Sequence, residues 1–189
     1  MAVTTEIFAS YLRPGRVFSR ILARNLTEAQ TFMYLMAAML LGFVSQLPYV
    51  SRRANLPNPE MEAAILAEAG EVRQIEAVEV PQDMVDAKFE AFMSAEIVIW
   101  FFILPLFFYA LAGLSQLVFR LLKRQVRGVD LRMALFWALL VATPLKLAHG
   151  LFAGMIGPGP ALTLVGFVWL LVFLWVWSGN LREVGWGRP

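Results

Sequence analysis

The sequence predicts an all-α polytopic membrane protein with four transmembrane helices and an N-terminal interfacial amphipathic helix. Apolar segments at residues 32–50, 97–119 and 161–177 carry no charge, and a fourth, at 133–156, carries one, Lys146. Each approaches the roughly 20 residues that a helix needs to cross a bilayer. Charged residues make up only 16% of the chain and cluster between these segments. No alternating ten-residue pattern indicates a barrel, so helices are the expected spanning elements.

The apolar segments divide the chain into five predicted parts. These are a cytoplasmic N-terminal segment at 1–30, a first span at 31–50, an acidic extracytoplasmic loop at 51–95, a three-span bundle at 96–178 and a cytoplasmic tail at 179–189.

The basic residues predict the orientation of the spans. One side carries eleven of them: Arg13, Arg16, Arg20, Arg24, Arg120, Lys123, Arg124, Arg127, Arg132, Arg182 and Arg188. The loop at 51–95 carries four, against nine acidic residues, and the turn at 157–160 carries no charge. Because Lys and Arg are enriched on the cytoplasmic side of spans, both termini are expected in the cytoplasm. We expect the protein in the inner membrane of a bacterium.

Residues 15–26 have the pattern of an amphipathic helix. The apolar residues Val17, Phe18, Ile21, Leu22 and Leu26 share one face, and Arg16, Arg20 and Arg24 recur every fourth residue on the other. Such a helix suits the plane of an anionic headgroup surface, which predicts a lipid- or partner-binding surface. The alternative is a helix that packs on the cytoplasmic end of the bundle.

The acidic loop is expected to contain local structure. Asn58 and Pro59 have the pattern of an N-cap and a first helical residue, and Gly70 is a typical stop. Residues 74–80 alternate like a short strand, and residues 83–96 resume helical spacing and are expected to continue into the second span.

The third span has a ridge of residues at strict four-residue intervals. Its members are Ala134, Ala138, Ala142, Lys146, Gly150 and Gly154. Small residues on one ridge let membrane helices approach closely, so the pattern predicts a helix-packing surface.

Lys146 interrupts this ridge near the expected bilayer midplane. A charge there costs roughly 2.5–3.5 kcal/mol on insertion scales, so the side chain should face the bundle and find partners. His149 lies one turn further on, and Glu96 begins the second span. We consider two interpretations of Lys146, His149 and Glu96: a proton- or headgroup-binding site, and a structural polar clamp, which we favour. Pro144 is expected to free the Leu140 carbonyl as a nearby acceptor.

Catalytic and cofactor motifs are not found in the sequence. It contains one histidine and no cysteine, and no phosphate-binding loop or nucleophile elbow. We therefore predict no catalytic residue, no metal, no cofactor and no nucleic-acid partner.

The order of these parts resembles the Yip family of integral membrane proteins. The resemblance is carried by Tyr11-Leu12-Arg13-Pro14-Gly15-Arg16-Val17-Phe18, by Phe119-Arg120-Leu121-Leu122, by Gly128 in a basic connection and by Ala142-Thr143-Pro144-Leu145. It implies a helical membrane protein of the prokaryotic branch. Family members typically have five spans, whereas four are visible here, with residues 15–26 or 83–96 as candidates for the remaining element. Prokaryotic members lack the Rab-type GTPase partner of eukaryotic ones.

These observations predict a non-enzymatic membrane protein that acts as an organising factor or accessory subunit. Its expected partners are membrane lipid, including anionic lipid, and other membrane protein subunits or a second copy of itself. The alternative is a small transporter or proton-conducting protein that uses Lys146, His149 and Glu96.

Overall fold

The computed structural model describes residues 3–70 and 80–187, which form eight α-helices and one π-helical turn. The elements are α1 (Val3–Leu12), α2 (Pro14–Leu22), α3 (Glu28–Asn55), α4 (Pro59–Ala69), α5 (Gln82–Val98), the π turn (Ile99–Ile103), α6 (Leu104–Leu121), α7 (Gly128–Ile156) and α8 (Pro160–Trp186). Four segments, namely α3, α5 to α6, α7 and α8, are long and apolar enough to cross a membrane. The predicted all-α polytopic fold is confirmed. The strand predicted at 74–80 lies outside the described residues, except for Val80.

The helix starts follow from local side-chain chemistry. Thr27 and Gln30 form a capping box before α3, in which each side chain accepts a hydrogen bond from the other's backbone N–H. The Asn58 carboxamide oxygen accepts a hydrogen bond of 3.2 Å from the Met61 N–H at the start of α4. Gly70 ends α4 at a left-handed φ of 72°, which only glycine adopts freely. The predicted α4, and the continuation of α5 into the second span, are confirmed.

The central element of the bundle is α7. It contacts α1, α3, α6 and α8, and its residues 133–143 are all buried. In each span we consider the 18 consecutive residues of highest hydropathy. Of these, 11% are buried in the span from α5 to α6 and 11% in α8, compared with 39% in α7. The protein therefore encloses one span and leaves the outer faces of the α6 and α8 spans open.

The second span changes its helical pitch where it passes α3. The Leu104 N–H donates to the Ile99 carbonyl, five residues back, instead of four. The π turn ends two residues before Pro105, which has no N–H to donate. Within this turn Trp100 is 9% exposed and packs into the bundle.

The N-terminal amphipathic helix differs from the prediction in its end and in its environment. It runs over Pro14–Leu22 and not over 15–26. Val17, Phe18 and Ile21 are at most 1% exposed, because α2 packs against α8 and the bundle core. The prediction of an apolar face inserted among headgroups is corrected for α2, and the alternative, a helix packed on the bundle, describes it.

Helix α1 crosses α7 and turns apolar side chains outward. The Trp137 indole N–H donates to the Ser10 hydroxyl at 3.1 Å, and the Tyr11 hydroxyl donates to the Val141 carbonyl at 2.6 Å, near the midpoint of α7. On the opposite side Phe8 and Leu12 are 65% and 83% exposed. Of the two N-terminal helices, α1 therefore presents the apolar surface that is open to lipid.

Candidate intramembrane site

Lys146 lies in the middle of the bundle with two tryptophan rings beside it. It is positioned by α7 and is partly buried. Its Nζ atom is 5.8 Å from the centroid of the Trp100 ring and 5.8 Å from that of the Trp169 ring. Both distances fall just inside the range of about 6 Å over which an ammonium is attracted by an aromatic face. The two rings therefore stabilise the positive charge that the sequence places inside a span.

The position of Trp100 depends on a glycine in α3. A Cβ atom added to Gly42 would lie 2.0 Å from the Trp100 ring, which no side chain tolerates. The missing side chain at Gly42 lets the indole approach the α3 backbone closely. One face of the Lys146 environment is thus built by contact between α3 and the π turn.

Glu96 contacts Trp100 and forms no ion pair with Lys146. One carboxylate oxygen of Glu96 accepts a hydrogen bond of 2.9 Å from the Trp100 indole N–H, one helical turn away. The ion pairs between described residues do not include Lys146, although Glu96 is close enough to act on its charge. The three residues predicted as a polar site are therefore brought to one region, with Trp100 between Glu96 and Lys146.

His149 faces α8. Its Nε2 atom lies 3.5 Å from where a Cβ of Gly166 would be, which is ordinary van der Waals contact with α8. Its Nδ1 atom is buried and has no hydrogen-bond partner. His149 and Lys146 line one groove together, but His149 does not contact Glu96 in any described hydrogen bond.

Two cavities meet at Lys146. The first, of about 230 Å³, is an apolar cleft lined by α3, α6, α7 and α8, including Ala38, Leu104, Leu139 and Trp169. The second, of about 380 Å³, is a more open groove between α7 and α8 that includes His149 and Thr163. Lys146 and Trp169 line both. The ammonium therefore stands where an apolar cleft joins a groove that carries hydrogen-bonding groups.

The Leu140 carbonyl, which Pro144 was expected to free as an acceptor for Lys146, is used by another group. Pro144 leaves the Leu140 carbonyl without its helical donor, and the Thr143 hydroxyl donates to that carbonyl at 2.7 Å. The next carbonyl, of Val141, accepts from the Tyr11 hydroxyl. Polar side chains thus satisfy the two backbone carbonyls near Pro144, as membrane helices require.

The small-residue ridge of α7 lies against α3 at its far end. A Cβ on Gly150 would lie 1.8 Å from the Ser45 carbonyl oxygen, and one on Gly154 would lie 2.4 Å from Pro48. The remaining members, Ala134, Ala138 and Ala142, are fully buried in the bundle core. The glycines let the α3 and α7 backbones approach to direct contact.

The arginine stripe lies on the exposed side of α2 and just after it. Arg16, Arg20 and Arg24 are all exposed. The guanidinium of Arg24 pairs with Glu6 of α1, a carboxylate that is only 3% exposed. Arg24 therefore joins the two N-terminal helices in addition to lying on the basic surface.

Sequence reasoning missed a second buried charge, Lys88. Its ammonium donates to a Glu62 carboxylate oxygen at 2.7 Å and to the Leu56 carbonyl at 2.8 Å, and the side chain is fully buried. Nothing in the sequence distinguishes it from the other charges of an acidic loop. Trp100 and Trp169 were also missed as neighbours of Lys146, because aromatic residues are common on lipid-facing surfaces.

Fold and spans together define the chain as an all-α polytopic membrane protein. Comparison with known protein families, with curated proteins and with solved structures finds no match. Within residues 3–70 and 80–187, no three His, Asp or Glu residues are grouped as a metal site would require. The chemistry that the described site offers is one cation, one unpartnered imidazole nitrogen and an adjoining apolar cleft.

Proposed function

We propose that the protein is a non-enzymatic integral membrane protein that acts as an organising factor or accessory subunit. It works through lateral contacts with lipid and with other membrane proteins, or with a second copy of itself. The observation that carries the proposal is the open outer surface of two spans, α5 to α6 and α8. Only 11% of the most apolar 18-residue stretch of each is buried. Exposed side chains on these spans include Leu106 at 73%, Phe167 at 59% and Leu171 at 64%.

Photo-crosslinking can test this proposal, because only proteins close to a labelled position are captured. A benzophenone amino acid at Phe167 of α8 or at Leu106 of α6 should yield a discrete protein adduct in native membranes. The matched control is Phe136, which is fully buried in α7 and should give only intramolecular products. Adducts with lipid alone at both open positions would contradict the proposal.

The orientation and the family belong to the same proposal. Eleven basic residues on the side of the termini support a cytoplasmic location for that side, with the protein in a bacterial inner membrane. The resemblance to the Yip family rests on the residues given above and stays a prediction.

A small transporter is the second candidate, and the position of Lys146 favours it. This side chain lines both cavities, so it could contact a solute or proton carrier entering from either. Reconstituted vesicles should then show a flux that is lost in Lys146→Met and kept in Lys123→Met, which removes an exposed cation just after α6. Equal flux in the two variants would argue against this candidate.

A further inference from the structure

The cleft beside Lys146 has the shape and chemistry of a site for one lipid chain. It lies among α3, α6, α7 and α8, and the lining side chains are mostly apolar. Its volume of about 230 Å³ suits part of a single hydrocarbon chain and is below the range of about 300–1,000 Å³ that is typical of drug-sized ligands. A chain that enters it replaces contacts with bulk lipid by contacts with Leu104, Leu139 and Trp169.

Lys146 gives this cleft a charged end. An ammonium has three N–H donors, and no described hydrogen bond or ion pair uses any of those of Lys146. The Trp100 and Trp169 rings stabilise the charge without accepting a conventional hydrogen bond. One oxygen of the Glu96 carboxylate accepts the hydrogen bond from the Trp100 indole. Among the described residues no carboxylate lies within 4 Å of the ammonium, so its three donors can pair with an added anion.

We propose that this cleft binds a free fatty acid, with its hydrocarbon chain between α6 and α8 and its carboxylate paired with Lys146. This inference goes beyond the proposed function and does not depend on a protein partner, so either can fail alone.

The depth of Lys146 favours a fatty acid over a phospholipid. Ten residues separate it from Ile156 at the end of α7, which is about 15 Å of helix at 1.5 Å per residue. A phosphate headgroup lies outside the hydrocarbon and would have to be drawn inward to reach this level. A carboxylate is smaller, and its single chain matches a single cleft.

Charge-assisted pairing is expected to be strong at this position. The tryptophan rings and the partial burial of Lys146 exclude water and lower the local dielectric, which strengthens the attraction between the ammonium and a carboxylate. His149 lies on the adjoining groove, and its ring has no hydrogen-bond partner at Nδ1. Because this atom is buried, the carboxylate is expected to pair with Lys146 and not with the Nδ1 atom of His149.

Quenching of tryptophan fluorescence by a chain-brominated fatty acid tests the proposal, because two tryptophans flank Lys146. The purified protein in detergent should show saturable quenching with the acid. The methyl ester, which has the same chain without the charge, should bind about tenfold more weakly, as expected for loss of a charged hydrogen bond. This comparison uses the unaltered protein and so cannot be confused with misfolding.

Variants then locate the two ends of the ligand. Lys146→Met should reduce affinity for the acid to that for the ester, and Lys146→Arg should retain most of it. Leu104→Phe, which fills the cleft, should weaken quenching. Leu106→Phe should not, because Leu106 of α6 is 73% exposed and does not line the cleft. Equal affinity for acid and ester, unchanged binding in Lys146→Met or Leu104→Phe, or equally tight binding of a brominated phosphatidylglycerol would each overturn the proposal.

Discussion

The Lys88 ammonium and the Glu62 carboxylate lie 2.7 Å apart with almost no exposure, and this pair joins α4 to α5. Lys88 also donates to the Leu56 carbonyl beyond the end of α3. The same Glu62 oxygen accepts a hydrogen bond of 3.0 Å from the Asn58 backbone N–H. One buried cation of α5 therefore connects α5 to α4 and to the residue that follows α3.

Removing one member of this pair should loosen α4. Lys88→Met leaves the Glu62 carboxylate buried and unpaired, which typically costs about 3–5 kcal/mol. Hydrogen exchange in Pro59–Ala69 should rise sharply, while exchange in α7 stays slow. Lys123→Met serves as the control, because Lys123 is exposed on the opposite side of the protein. Adding Glu62→Leu to Lys88→Met should restore part of the protection, and a fully additive loss would contradict the pairing.

The same pair predicts how the loop responds to acid. The hydrogen bond from Lys88, followed by that from the Asn58 N–H, holds the pKa of Glu62 below its ordinary value of 4.5, against the opposing effect of burial. A lowered folded-state pKa means that the stabilisation is complete above about pH 4.5 and is lost as the pH falls through the folded-state value. Proteolysis within α4 should therefore stay slow from pH 7 to about 4.5 and accelerate only as the pH falls further, through the lowered folded-state pKa of Glu62. Glu62→Gln should remove most of this dependence.

Two glycines in different environments test the contact between α3 and α7. A Cβ at Gly150 would overlap the Ser45 carbonyl, whereas a Cβ at Gly113 of α6 has nothing within 4 Å. Gly150→Ala should therefore destabilise the bundle by about 1–3 kcal/mol or more through overpacking. Gly113→Ala should be neutral or stabilise by about 0.5–1 kcal/mol, because alanine is the better helix former. Unfolding in detergent measures both, and equal stability of the two variants would contradict the contact.

Most of the fold could be predicted because it follows from local chemistry. Hydropathy and length give the four spans, and Asn58 and Gly70 give the ends of α4. The environment of α2 could not be obtained in this way, since the same amphipathic pattern suits a lipid surface and a protein surface. What decides it is the contact between Pro14 and Gly179 of α8, where a Cβ would lie 2.7 Å from the proline ring.

The candidate site was predicted less completely than the fold. The cost of a buried charge indicates that Lys146 is important, but the nature of its partners depends on tertiary structure. The π turn rotates Trp100 towards α3, and Gly42 makes room for it. Neither the π turn nor the contact at Gly42 can be recognised from hydropathy or helical periodicity. Glu96 was therefore expected as a direct neighbour of Lys146 and not as the hydrogen-bond partner of Trp100.

Arg16 and Arg24 should differ in their effects although both belong to the basic stripe. Each Arg→Gln change should weaken association with anionic vesicles by about 1 kcal/mol at low salt, with less difference at high salt. Arg24→Gln should in addition speed hydrogen exchange in α1, because Glu6 is buried and loses its partner. Arg16→Gln is the matched control for charge. Slow exchange in α1 of Arg24→Gln would show that the pair does not hold α1.

The four-span topology places Gly70 and the C-terminus on opposite sides of the membrane. A reporter inserted at Gly70, the exposed end of α4, should lie on the side opposite to a reporter fused after the C-terminus. The reason is that three spans separate these two points. Which side faces the cytoplasm depends on the eleven basic residues that lie on the same side as the termini, and these should keep that side in the cytoplasm. An alkaline phosphatase reporter, active only outside the cytoplasm, should therefore be active at Gly70 and inactive at the C-terminus. Matching activity at both positions would contradict the four-span topology, and the reversed pattern would contradict only the orientation.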